Sequence, residues 1–165
     1  MPWPRPSLPE EIISMPTSVE LNPMMMREII IDHYNAPRHK SACPSPAEYE
    51  TTHSSSVNCI DDIDVYLKQE NGKIVDALWE GTACAISTAS TDILCDLLIG
   101  RTKEEAEKII GEYTKMITGK EDYDASVLDE AIALANTYRQ PSRIHCATIG
   151  WDAFRELLEK EDVHS

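Results

Sequence analysis

Three cysteines and an aspartate carry the chemistry this sequence could perform. Cys59 stands in Asn58-Cys59-Ile60-Asp61, Cys84 in Thr82-Ala83-Cys84-Ala85-Ile86-Ser87, and Cys146 in Arg143-Ile144-His145-Cys146-Ala147. None of these thiols has the short spacing of a local zinc finger, so a shared metal would have to be assembled by the fold from distant segments. Residues i and i+2 of an extended chain point the same way, so Cys59 and Asp61 can offer sulfur and oxygen to one centre. Three thiolates and one carboxylate make a tetrahedral, zinc-compatible set. Cys84 and Cys146 stand near predicted helix starts, where free amides and the helix dipole favour the thiolate, and Arg143 acts on Cys146 in the same direction. The competing reading is that these cysteines are small apolar fillers of a core. Spacing alone favours the filler reading.

The other candidates are weaker. Cys95 returns to the helix face of Cys84 about 16 Å further along the axis, too far to share an ion. Cys43 stands between Ala42 and Pro44 with no partner nearby in the sequence. Both read as structural. Successive helical residues diverge by about 100°, which argues against His145 and Cys146 ligating one metal together. Three roles stay open for His145: fourth ligand in place of Asp61, proton relay, or solvent-facing side chain. His33 and His39 flank the end of the first predicted helix, and His33 reads as packed rather than ligating.

The elements that must position these residues are legible in outline. Met26, Ile29, Ile30 and His33 fall on one helical face, and Pro37 closes that helix. A polar tract over 41–58 follows, with a weak strand signal around Tyr49 to Thr52. Ile63, Val65 and Leu67 then alternate with polar residues, Val75, Ala77 and Trp79 alternate on the return, and Asn71-Gly72 between them predicts a tight hairpin. From residue 85 the period is helical. Ile86, Ser90, Ile93 and Leu97 mark one stripe that stops at Gly100. Thr102 and Glu105 form a capping-box pattern before the face of Ala106, Ile109, Ile110, Tyr113 and Ile117. Leu128, Ala131, Ile132 and Ala135 predict a further helix. Ala147, Trp151, Phe154 and Leu158 predict a last one, starting near Pro141-Ser142. Strands and helices are segregated, so the fold class is α+β, a small antiparallel sheet packed against about five helices.

Length and charge bound the rest. The chain has 165 residues, with 15 Lys and Arg against 29 Asp and Glu, for a net charge of −14. That is enough for one hydrophobic core, and the sequence divides into an extended leader over 1–23, one domain over 24–160 and a tail over 161–165. The acidity argues against a sequence-independent grip on nucleic acid and against an anionic membrane surface. No apolar run is long enough to span a bilayer, and Glu10 and Glu11 spoil a basic transit-peptide reading of the proline-rich start. Five cysteines in a chain too large to need a disulfide framework point to a reducing cytoplasm, with thiols available for metal or chemistry.

With these segments laid out, the chain resembles the SufU-type iron–sulfur cluster assembly proteins, relatives of IscU and of the NifU N-terminal domain. The resemblance covers about residues 24–160. It is carried by Arg27-Glu28-Ile29-Ile30-Ile31-Asp32-His33-Tyr34-Asn35-Ala36-Pro37-Arg38, by the Cys-x-Asp at 59–61, by Cys84-Ala85-Ile86-Ser87-Thr88-Ala89-Ser90, and by Arg143-Ile144-His145-Cys146-Ala147-Thr148. The stretch between Cys84 and Cys146, with Gly100-Arg101-Thr102, is similar to SufU and longer than in IscU. The resemblance implies Zn2+ held by Cys59, Asp61, Cys84 and Cys146, with His145 as the alternative ligand. It implies a sulfur acceptor and activator of a cysteine desulfurase of the SufS type, rather than a stand-alone enzyme, working with the iron–sulfur assembly machinery. Cys59 would receive persulfide sulfur and Arg143 would assist.

The sequence departs from the family pattern at three positions. Ile60 stands where glycine usually separates Cys and Asp, which reduces the backbone freedom of that loop. Ala83 replaces the glycine usually found before the second cysteine. Position 145 is histidine, as in IscU, where typical SufU proteins have lysine. The histidine keeps a second role open, a scaffold on which an iron–sulfur cluster is built and handed over. A third reading is a domain whose zinc is only structural. The chaperone-binding Leu-Pro-Pro-Val-Lys of IscU is not matched, since Arg139-Gln140-Pro141-Ser142-Arg143 stands there.

Overall fold

The computed structural model describes residues 22–56 and 60–164, the last five of them by backbone alone. Helix α1 spans Pro23–Asn35. Asn22 caps it by accepting the Met25 amide at 2.8 Å, and Pro23 takes the first turn, where its missing donor is not needed. Most of the expected leader, residues 1–21, lies outside the described part of the chain.

Strands β1 (Glu50–Ser55), β2 (Asp62–Glu70) and β3 (Lys73–Thr82) form one antiparallel sheet in the order β1-β2-β3. Asn71 and Gly72 join β2 to β3 at φ +53° and +79°, the mirror-image turn that matches strand twist. Ile63, Val65 and Leu67 enter the core as predicted. On the return strand the prediction fails at Val75, which is 40% exposed while Ile74 is fully buried. A register shift is the cause. Asp76 pairs with Lys68 and Ile74 with Gln69, so Val75 is the extra residue of a bulge and the alternation restarts there. The outer edge of β3 is covered by two loops. Trp79 N donates to His39 O and Ser41 N to Trp79 O, while Ile74 N donates to Arg101 O and Gly100 N to Ile74 O.

Helix α2 (Ala85–Leu98) is the central element. From Ser87 to Leu98 only Asp96 is exposed, because α2 lies against α1, β3 and the last helix, α4 (Pro141–His164), which also crosses β1 and β2. Helix α3 (Lys103–Ile117) opens on the predicted capping box, with the Glu105 amide donating to Thr102 Oγ1 at 3.2 Å and the Thr102 amide to Glu105 Oε1 at 2.9 Å. The stretch predicted as a helix around Leu128 to Ala135 is instead a run of 3-10 segments, Ala125–Val127, Asp129–Leu134 and Thr137–Arg139. Asp129 at φ +44° breaks the helical ladder there, although Leu128 and Ala131 still bury their side chains. The class is α+β, a three-stranded antiparallel sheet against a helical layer. No helix among the described residues is long and apolar enough to cross a membrane.

The end of α1 is fastened to α2 by one buried carboxylate. Asp92 accepts from His33 Nδ1 at 2.7 Å, from the Arg38 and His39 amides at 2.9 and 2.8 Å, and from Trp79 Nε1 at 3.3 Å. Burial opposes charge on Asp92, but these four donors outweigh it and hold its carboxyl below the usual range. His33 packs, as its sequence position predicts, and is 1% exposed. Burial alone would lower its pKa; the carboxylates of Asp92 and Glu130 outweigh burial and raise it to about 9.

Candidate metal centre

Three elements deliver side chains to one place beside the entry to β2. Asp61 immediately precedes β2, and its carbonyl accepts the Ser56 amide at 2.9 Å. β3 runs antiparallel to β2 and returns the chain to Cys84. Gly81 makes that approach possible: at φ +122°, a Cβ there would stand 2.2 Å from the Asp62 carbonyl oxygen. Cys84 is the N-cap of α2, with its Sγ accepting the Ser87 amide at 3.4 Å. Cys146 arrives on α4, which packs along α2.

A carboxylate oxygen of Asp61 and the sulfurs of Cys84 and Cys146 all lie within 4.8 Å of one another. Asp61 is 1% exposed and Cys146 3%, whereas Cys84 is half-buried. Asp61 is oriented by two donors, the Cys84 amide on Oδ1 at 2.8 Å and the Ser87 hydroxyl on Oδ2 at 2.6 Å. Two thiols and a carboxylate fit a borderline-soft divalent ion such as zinc, with a fourth ligand still to be supplied.

The two thiols stand differently on their helices. Cys84, at the N-cap, faces the free amides of α2. Cys146 stands near the start of its helix, as predicted; with α4 starting at Pro141 it falls in the second turn, beyond the range of the terminal amides. Its environment is set by α2 instead.

Ser87 is the residue that the sequence reading passed over. It is fully buried, its hydroxyl lies 2.6 Å from Asp61 Oδ2, 2.9 Å from the Cys146 carbonyl and 3.5 Å from Cys84 Sγ, and so it touches all three members of the group. The signal was present in the run of Ser87, Thr88, Ser90 and Thr91 in the most buried helix, since buried hydroxyls need partners.

Among the other predicted residues, Cys59 lies outside the described residues. His145 and Arg143 are exposed on the first two turns of α4, and His145 is not in the converging group. Cys95 is fully buried in the core, where burial pushes its thiol pKa well up, and Cys43 is half-buried away from the group.

Comparison with known proteins identifies relatives of the chain. Residues 25–114 match the family model of the NifU-like N-terminal domain. The chain is 32% identical over 141 residues to an iron–sulfur cluster assembly scaffold protein IscU of Streptococcus pyogenes serotype M1, covering 86% of each chain. It is 30% identical over 138 residues to the zinc-dependent sulfurtransferase SufU of Bacillus subtilis strain 168, covering 84% of this chain and 92% of that one. A crystal structure of a candidate iron–sulfur cluster assembly scaffold protein for the SUF system of Fervidobacterium islandicum AW-1 superposes with a TM-score of 0.72. It is 30% identical, and the match covers 79% of this chain and 94% of that one.

Proposed function

Because the chain belongs to the NifU-like N-terminal domain family, we propose that it serves iron–sulfur cluster assembly as a zinc-holding acceptor of persulfide sulfur from a cysteine desulfurase. The observation that carries this reading is the convergence of Asp61, Cys84 and Cys146 within 4.8 Å. Cys59 is the proposed fourth ligand and the acceptor. It is two residues from Asp61 in the chain, a covalent reach of at most about 7 Å between Cα atoms. Zinc at this site would keep the thiols deprotonated and guarded from oxidation until a partner docks.

The residues then have distinct tasks. Asp61, held by the Cys84 amide and the Ser87 hydroxyl, would be the oxygen ligand that stays on the ion beside Cys84 and Cys146. The Cys59 thiolate attacks the outer sulfur of the desulfurase persulfide. A new S–S bond forms on Cys59, the S–S bond of the desulfurase breaks, and the desulfurase cysteine leaves as a thiolate. Arg143, exposed in the first turn of α4, can face that developing thiolate or the partner surface. The acidic surface suits a partner with a basic docking face.

The experiment is incubation with a SufS-type desulfurase and cysteine. One added sulfur atom on Cys59 by mass spectrometry, and faster desulfurase turnover, are expected. Neither appearing would remove the transfer reading and leave a structural zinc. A scaffold role is the second reading, favoured by His145 beside Cys146 and by the IscU name of the streptococcal relative. It predicts brown protein with iron and labile sulfide on anaerobic purification, where the acceptor reading predicts one zinc per chain and no colour.

A further inference from the structure

We infer that His33, Asp96 and Glu130 form a second divalent-cation site, where the end of α1, the C-terminal half of α2 and the 3-10 run meet. One ring nitrogen of His33 and one carboxylate oxygen each from Asp96 and Glu130 lie within 4.8 Å of one another. The independent sign of a ligand is His33 itself. The side chain is 1% exposed, and its Nε2 has no hydrogen-bond partner among the described residues, although it faces Glu130 Oε2 at 3.5 Å. The other nitrogen, Nδ1, donates to Asp92, the arrangement by which a metal-ligating histidine is fixed in orientation and made more basic. Asp92 is held in turn by two amides and the Trp79 indole, so the ring cannot drift.

The surroundings say which ion would fit. A cavity of about 680 Å³ opens beside the group, lined by Asp32, Asp96, Asp129 and Glu130 with Arg38 and Arg101. Without an ion, the positive charge comes from His33, whose Nε2 faces Glu130 Oε2 at 3.5 Å, and from Arg38, at 3.2 Å from Asp96 Oδ2 and 3.8 Å from Glu130 Oε1. The Arg38 side chain is 45% exposed, and such a pair gives way easily, so a cation can replace it while the Nε2 proton goes to solvent. His39 keeps hold of the other Asp96 oxygen, Oδ1. Ligand atoms around one ion stand about 3–4 Å apart, so a small rotation of the part-exposed Glu130 closes the set. Imidazole and carboxylates without sulfur select a harder ion than the thiol group does, Mn2+ or Fe2+. The two sites are separate: Asp96 lies twelve residues beyond Cys84 on α2, roughly 18 Å along the axis. The inference therefore does not rest on the function proposed above.

Mn2+ is the probe, because it avoids thiolates and loses its solution EPR signal when bound. Titration of the full-length chain loaded with a single equivalent of zinc, which the thiol group takes first, should show one saturable Mn2+ site. Glu130→Gln and Asp96→Asn, both at part-exposed side chains, should each weaken it tenfold or more with unchanged circular dichroism. Cys84→Ser should leave it intact. Absence of saturable binding, full-strength binding in both carboxylate variants, or loss of binding with Cys84→Ser would each overturn the inference.

Discussion

Ser87→Ala tests whether the candidate metal centre is organised by its surroundings or only by its ligands. The substitution removes one buried hydroxyl and leaves both thiols and the carboxylate in place. In the intact chain that hydroxyl stands 2.6 Å from Asp61 Oδ2, and Ser87 is fully buried, so water cannot take its place. A hydrogen bond to a charged group is worth about 1.5–3 kcal/mol. The Cys146 carbonyl, 2.9 Å from the same hydroxyl, is the alternative acceptor of its single proton, but lies inside α4 and keeps the helical ladder. The expected loss in stability of the metal-free chain is therefore about 2 kcal/mol, read as a lower urea midpoint at unchanged m-value. Without the Ser87 hydroxyl, Asp61 Oδ2 loses one of the donors that orient it, while Oδ1 keeps the Cys84 amide. Loss of such an orienting partner lowers metal affinity roughly 10–100-fold. Competition between the protein and a chromophoric chelator for zinc measures this directly. A folded Ser87→Ala chain whose zinc affinity stays within twofold of the parent would refute the reasoning, and would mean that Asp61 is positioned without the Ser87 hydroxyl.

Three further outcomes are expected. Asp61→Ala should weaken metal retention by elemental analysis while the helical circular dichroism persists, because the core of α2, α3 and α4 does not depend on that carboxylate; undiminished zinc affinity would make His145 the candidate ligand. Gly81→Ala should lower the melting temperature and disturb zinc binding together, since its Cβ would meet the Asp62 carbonyl at 2.2 Å on a backbone at φ +122°. In the metal-free chain, stability should fall as pH rises. His33 titrates at about 6.5 when unfolded and about 9 when folded, so its contribution is fully present below pH 6.5 and is lost as pH passes through about 9. Screening at the part-exposed Glu130 brings that contribution to about 2 kcal/mol, and a melting temperature that holds flat from pH 6.5 to 9.5 would contradict it.

What the sequence determined by itself was local and periodic. Asn71-Gly72 dictated the hairpin because only such residues take two successive positive φ angles cheaply, and Thr102 with Glu105 dictated the start of α3 because both satisfy amides within one turn. The cysteine pattern named the residues, and family resemblance ordered them, but spacing alone favoured core filler over metal. Only the tertiary structure brought Asp61, Cys84 and Cys146 together, since their convergence depends on how β2, β3 and α4 meet the start of α2. It decided as well what no local window contains. Val75 leaves the core because of a bulge set by its partner strand, and Asp129 turns a predicted helix into 3-10 segments through one left-handed residue. Ser87 becomes the hub of the group because it is fully buried. Periodicity is a property of neighbours in the chain, whereas burial and donor geometry belong to neighbours in space.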